Sequence, residues 1–334
     1  MEQFFGLVSQ VLGRNREACA RKLRLITYKV VPFSPNAGLV EWVGNTLAVS
    51  EYLIGKDQWR VTGAHTRFKR PGDYDFAFAF NELGKHAMPE RRRVYDDILA
   101  HYQPVMHHFF TETYRDPAVW FERKVAYTRS VAVNSMAGYI IGLGDRHGGN
   151  ILLSCSTAEV VHIDLGVAFE QGRFLTTPEV VPFRLTRDIV DGMGVNGVEG
   201  VMRRCCELTL QVLRASQDSL LTVLEVVLHD PQYKWALTPV MVQKRQRDSS
   251  QAGQGGSSRH DDTQGTSRGM PHLEETQYSA DAERAIMRVK QKLEGTDGAE
   301  GRLRTIPGQV AALLREASDP DKLCRMYAGW APFV

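Results

Sequence analysis

Apolar positions recur at helical spacing from the first residues, where Phe4, Val8, Val11 and Leu12 form one face with no capping residue ahead of them. Residues 25–31 read as a strand, 32–38 as a turn and 39–43 as the returning run. Residues 54–93 have no clean period; a Lys69-Arg70-Pro71-Gly72-Asp73 turn precedes a packed segment marked by Phe76, Phe78 and Phe80. Asp116-Pro117 is a strong helix start, with aspartate at the cap and proline at the first helical position. That helix is expected to run from Pro117 to about Ile141, with Phe121, Val125, Val131 and Tyr139 among its buried positions.

Two short apolar runs, 151–154 and 160–164, flank a polar Cys155-Ser156-Thr157-Ala158-Glu159 and predict a tight hairpin. Residues 165–186 lack a period and carry Pro178 and Pro182. Helices follow, one with Val201, Cys205, Leu208 and Val212 on a face, the next with Leu220, Leu221, Leu224, Val227 and Leu228. Residues 244–279 are Ser, Gln, Gly, Thr and charge with scarcely an apolar side chain, the signature of a disordered linker. A short helix over 282–293 sets Ile286, Val289 and Leu293 on one face. The last segment, 308–334, has an apolar helix (Val310, Leu313, Leu314), a break at Asp319-Pro320 and a terminal run of Leu323, Met326, Tyr327, Trp330 and Phe333.

At 334 residues and 43% hydrophobic content, the chain can bury a sizeable core in one large or two ordinary domains. Lys+Arg 41 against Asp+Glu 39 leaves a formal charge of +2, too little for nucleic-acid binding by bulk electrostatics. Five cysteines without Cys-x-x-Cys spacing imply reduced thiols and no zinc site. The vicinal Cys205-Cys206 pair reads as helix packing. No apolar run approaches a membrane span.

The candidate chemistry lies in Gly142-Leu143-Gly144-Asp145-Arg146-His147-Gly148-Gly149-Asn150 and the hairpin after it. Moving a γ-phosphoryl group needs a carboxylate near the attacking hydroxyl and oxygen ligands for a divalent cation bridging the phosphates. Protein kinases supply these as Asp-x-x-x-x-Asn on a loop and a second Asp after a hairpin. Asp145, Asn150 and Asp164 reproduce that order, while His147 follows the aspartate by two positions instead of preceding it. Taken singly, Asp-Arg-His is also what a surface turn looks like; the joint spacing with flanking strands separates the two readings.

The wording of this region, Gly-Leu-Gly-Asp-Arg-His with Val161 to Gly172 and Val181 to Asp188, resembles the catalytic and activation loops of the phosphatidylinositol 3-kinase-related protein kinases. The phrase from Asp188 to Gly194 is similar to their ATM/Tel DNA-damage branch, and the resemblance spans nearly the whole chain. It implies an α+β fold: a kinase-like large lobe of PI3K/PI4K type, mainly helical with short hairpins, closed by a FATC-like C-terminal element, the small lobe mostly missing. The domains would be 1–53, a remnant of small lobe and hinge; 54–243, the large lobe; 244–300, a disordered linker and short regulatory helix; and 301–334, the FATC-like element.

By the same resemblance Asp145 orients or deprotonates the substrate hydroxyl, His147 stabilises transferring charge, and Asn150 with Asp164 holds Mg²⁺ or Mn²⁺. Arg146 orders the loop internally. Tyr28, Trp42 and Val43 fall at the deep wall and hinge of the ATP adenine pocket, although Trp42 fits an ordinary core as well. Lys29 is not the phosphate lysine, because its strand follows the first helix rather than preceding it. The glycine-rich loop and phosphate lysine would lie upstream of Met1, so weak transfer is expected of this chain alone.

The implied substrates are proteins with Ser/Thr-Gln sites, the partners DNA-break sensors, the assembly a homodimer and the location the nucleus. Neither a membrane nor nucleic acid is expected as a direct partner. Ser250-Gln251, Thr263-Gln264 and Thr276-Gln277 would be autophosphorylation sites, against a compositional expectation of about one such dipeptide. A lipid kinase and a non-catalytic docking module are the competing readings.

Overall fold

The computed structural model describes residues 1–34, 37–56, 61–228, 271–298, 302–331 and 333, with backbone alone for 61, 227–228 and 271–281. The first helix spans Glu2–Arg14 and buries the expected Phe4, Val8, Val11 and Leu12 together with Phe5. Asn15 then caps a short helix, Arg16–Ala20, by accepting the Glu17 and Ala18 N–H groups. No ladder forms over 25–29; the strand is Val30–Ser34, paired antiparallel with Ala37–Val40. Pro32, expected in the turn, thus sits inside a strand, a position it tolerates because a two-stranded ribbon leaves half its N–H groups without a ladder partner.

The central sheet is antiparallel, in the order Thr46–Ala48, Ile151–Ser154, Val160–His162. The predicted hairpin is its core, with Ile151 opposite His162 and Leu153 opposite Val160. Its edge strand is satisfied by the long helix Pro117–Ile141. There Ser130 Oγ accepts the Val160 N–H at 2.9 Å, and Asn134 Nδ2 donates to the Val160 carbonyl at 3.3 Å. A polar pair on a buried helix face is stable because each group finds a backbone partner.

The long helix begins and ends as expected, with the Asp116 carboxylate accepting the Ala118 and Val119 N–H groups. Burial differs from expectation at the outer end: Phe121 is 59% exposed and Val125 half-buried, since the first turns project past the core. From Tyr127 to Ile141 nearly every position is buried, against helix Val201–Ala215 on one side and the sheet on the other. Cys205 and Cys206 are both buried free thiols in that packing, as the helical reading requires. Helix Gln217–Leu228 continues the core with Leu220 and Leu224, while Leu221 is half-buried.

The aperiodic stretch resolves into helices Phe76–Lys85 and Glu90–His101, the first started by the Asp75 side chain accepting the Phe78 N–H at 2.8 Å. On them docks the C-terminal run: Leu323, Met326, Trp330 and Phe333 form a second apolar core with Leu83, Tyr95, Ile98 and Tyr102. Arg91 donates to the Met326 carbonyl at 2.9 Å and Arg184 to the Trp330 carbonyl at 3.0 Å, which fixes the tail's backbone.

The helix expected over 282–293 is longer, Pro271–Glu294, so Thr276-Gln277 is helical rather than part of a linker. Ser250-Gln251 and Thr263-Gln264 lie outside the described residues. Among the described residues, no helix is long and apolar enough to cross a membrane.

Candidate active site

The long helix delivers the chain into the candidate loop through Gly142, whose φ of 62° is left-handed and whose N–H closes onto the Tyr139 carbonyl at 3.1 Å. Only glycine fits, because a Cβ there would stand 2.5 Å from the Glu170 backbone nitrogen. The next residues are pinned by backbone bonds: Leu143 N–H to Gly138 O at 2.8 Å, and Gly144 N–H to Val167 O at 2.8 Å. On the far side, the Ser50 N–H donates to Gly148 O at 3.0 Å.

Arg146 is the organiser of the loop. Its side chain is buried, and its guanidinium donates to the carbonyls of Gly144 (2.9 Å), Asn150 (3.4 Å), Ile163 (2.7 Å) and Asp164. One cation thereby ties the Asp145 loop to Ile163 and Asp164, just past strand Val160–His162, as its expected internal role demands. Burial lowers its pKa, with Asp145 and Asp164 opposing that shift. A guanidinium suits the position, since its fork reaches several carbonyls and keeps its charge.

Asn150 donates from Nδ2 to the Asp145 carbonyl at 2.9 Å, and its own carbonyl accepts the Ile163 N–H at 3.1 Å. The hairpin therefore does return Asp164 beside Asn150. His147 Nδ1 accepts the Gly149 N–H at 3.0 Å, which places the ring proton on Nε2. Burial also lowers the pKa of His147, with Asp145 opposing that shift, so burial and the Gly149 bond both favour the neutral ring. Asp145 and Asp164 both hold positive φ, 56° and 50°, left-handed conformations that non-glycine residues keep only when their surroundings impose them.

Tyr28 lies close enough to feel the charges of Arg146 and Asp164, and burial raises its pKa. Trp42 is 90% exposed, beyond the solvent-facing Val30–Val40 ribbon, and Val43 is half-buried with its carbonyl accepting from Thr46 Oγ1 at 2.8 Å. The structure therefore brings Asp145, His147, Asn150, Asp164 and Tyr28 together; Trp42 and Val43 lie in the connection between the Val30–Val40 ribbon and strand Thr46–Ala48.

The donor set suits a hard divalent cation. With Nδ2 of Asn150 committed to Asp145, its Oδ1 is the atom left for a ligand, and Asp164 adds an exposed carboxylate. Two oxygen ligands are few for a protein cage, and among the described residues no cluster of three His, Cys, Asp or Glu could hold a metal. That combination fits a cation whose remaining ligands are phosphate oxygens and water.

Sequence reasoning missed Ser50, which closes on the loop from outside the motif, and Glu179, which accepts the Asp145 N–H. Neither stands at a recognisable spacing from Asp145.

Comparison with known proteins agrees with this geometry. Residues 1–237 match the family model described as phosphatidylinositol 3- and 4-kinase, and residues 304–334 match the FATC domain. The chain belongs to the phosphatidylinositol 3- and 4-kinase family. Among its relatives it is 49% identical over its whole length to the serine/threonine-protein kinase ATM of Arabidopsis thaliana, and 45% to the serine-protein kinase ATM of Sus scrofa. It spans 8% and 11% of those two proteins. It is similar throughout to the solved FAT and kinase domain of CtTel1, with a TM-score of 0.82 at 40% identity, covering 20% of that chain. The mainly helical kinase fold of this family, with a FATC element docked on the large lobe, is what the catalytic wording implied.

Proposed function

We propose that this chain carries the catalytic apparatus of a serine/threonine protein kinase of the ATM/Tel kind, acting on Ser/Thr-Gln sites in DNA-damage signalling. The observation that carries this reading is the Arg146 clamp, which holds Asp145, Asn150 and Asp164 on one surface.

In this mechanism the Asp145 carboxylate orients the substrate hydroxyl and accepts its proton. Neutral His147 donates from Nε2 to the charge that develops on the transferring phosphoryl group, a role its Nδ1 bond to Gly149 prepares. Asn150 Oδ1 and Asp164 would hold Mg²⁺ or Mn²⁺, which when bound neutralises phosphate charge. Tyr28 would line the ATP site, with Trp42 and Val43 at its hinge. Relatives' solved forms include a CtTel1 dimer with C2 symmetry, which supports a homodimer for the whole protein; recruitment by DNA-break sensors and a nuclear location belong to the same reading. The domain limits 1–53, 54–243, 244–300 and 301–334 are proposed on the same basis.

The test is phosphate transfer from labelled ATP to a Ser-Gln peptide with Mg²⁺ or Mn²⁺, by the chain alone and with any coding sequence ahead of Met1 restored. Asp145→Ala and Asp164→Ala are each expected to reduce transfer at least about a hundredfold. Transfer to phosphatidylinositol vesicles with a silent peptide would replace the reading by a lipid kinase. Full activity in Asp145→Ala would refute the role of that residue.

A further inference from the structure

We propose that Glu179 is the positioning residue that fixes Asp145 in the loop, tying it directly to the 165–186 activation segment. The inference deepens the kinase reading and rests on it for its effect on turnover. Asn150 and Arg146 organise the loop from within. The Asp145 amide instead is taken by a side chain 34 positions away: its N–H donates to Glu179 Oε1 at 2.6 Å. Asp145 holds a φ of 56°, and an outside acceptor on its amide is what such a backbone needs to persist.

Two glycines from separate segments form the passage for this carboxyl group. A Cβ on Gly144 would meet Glu179 Oε2 at 2.9 Å, and a Cβ on Gly172 would meet the Glu179 carboxyl carbon at 2.5 Å. The Glu179 N–H donates to the Gly172 carbonyl at 3.0 Å, so the segment folds back on itself and sets the reach of its own side chain. The packing is specific to an acceptor of this size and leaves no room for a neighbour with a side chain.

What the Asp145 amide requires of this side chain is a hydrogen-bond acceptor. Burial pushes the Glu179 carboxyl up to about 7, while the Asp145 N–H and the cations of Arg146 and Arg184 pull the other way. Protonated or ionised, Oε1 can accept the amide, so a glutamine should serve. Glu179 touches Asp145 through the backbone and stands behind the loop, on the wall of a cavity of about 460 Å³ that reaches Lys292 and Asp319. It acts on the reaction only through where it places Asp145.

The experiment compares Glu179→Ala, Glu179→Gln and Gly172→Ala with the unaltered protein. Gly172→Ala keeps the glutamate but drives its carboxyl off the Asp145 amide. Two readouts are taken: hydrogen exchange of the Gly144–Arg146 amides in the chain itself, and steady-state kinetics in the form that phosphorylates the Ser-Gln peptide.

Glu179→Ala and Gly172→Ala are expected to speed exchange of the Asp145 amide at least tenfold. Both should lower kcat at least tenfold with KM for ATP within twofold, while Glu179→Gln stays within threefold of the unaltered protein on both counts. Unchanged exchange in Glu179→Ala overturns the proposal, as does an equal loss in Glu179→Gln. A folded protein with protected Asp145 amide but no transfer in any form would count against the kinase reading, and the exchange comparison would still decide the contact.

Discussion

Two apolar antiparallel hairpins of this molecule have opposite fates. The ribbon Val30–Ser34 with Ala37–Val40 is exposed along both strands, with Leu39 at 62% and Val40 at 65% exposure. The hairpin Ile151–Ser154 with Val160–His162 alternates between buried and half-buried positions on its first strand and buries Val160 and Val161 on its second. Their residue types barely differ. The second has a third strand beside it, a helix offering Ser130 and Asn134 to its edge, and Arg146 beneath its end. Burial follows from partners, and the partnered hairpin is the one that carries the catalytic candidates.

The sharpest way to break this contrast is Arg146→Ala, which leaves the carbonyls of Ile163 and Asp164 without their donor. It is expected to cost about 3 kcal/mol or more in urea unfolding. Leu153→Ala, at a fully buried position, should cost about 3 kcal/mol. The matched change Leu39→Ala, on the exposed ribbon, should stay within about 0.5 kcal/mol; similar losses at the two leucines would erase the distinction.

Between these extremes lies Asn134→Ala, which removes the donor to Val160 O and should cost about 1 kcal/mol. A further, smaller effect is pH-dependent. Burial pushes Glu159 up, but the Arg24 hydrogen bonds and charge, with Thr157 and Arg123, bring it below the usual carboxylate value of 4.5. A depressed folded pKa contributes stability above the unfolded value that is lost as pH falls through the folded one. The stability gap between the unaltered chain and Glu159→Gln should therefore be constant from pH 7 to about 5 and close below about 4.

The partnered hairpin was legible because its parts are sequential: two apolar runs, a polar turn and Asp145, Asn150 and Asp164 at fixed spacing. The long helix was legible from Asp116-Pro117 at one end and Gly142 at the other. What escaped notice depends on distant pairing. The helix Phe76–Lys85 escaped because Phe76, Phe78 and Phe80 repeat every second position, as in a strand, while the residues it buries are Ala79 and Leu83; the side chains it packs against, Trp330 and Phe333, stand more than two hundred positions away in the chain. Pro32 misled because proline punctuates most strands, and only the ribbon's free edge admits it. Glu179 escaped because a side chain that binds a backbone amide leaves no residue-type signature at the other end.

The long helix also sets where the molecule is stiff. Its 25 residues make a rod of about 37 Å; from Tyr127 on it is buried nearly all round, while its first turns leave Val119 and Phe121 facing solvent and rest on the core through Trp120. The buried half is the one that ends at Gly142, so the Asp145 loop starts from the part of the rod with least freedom to open.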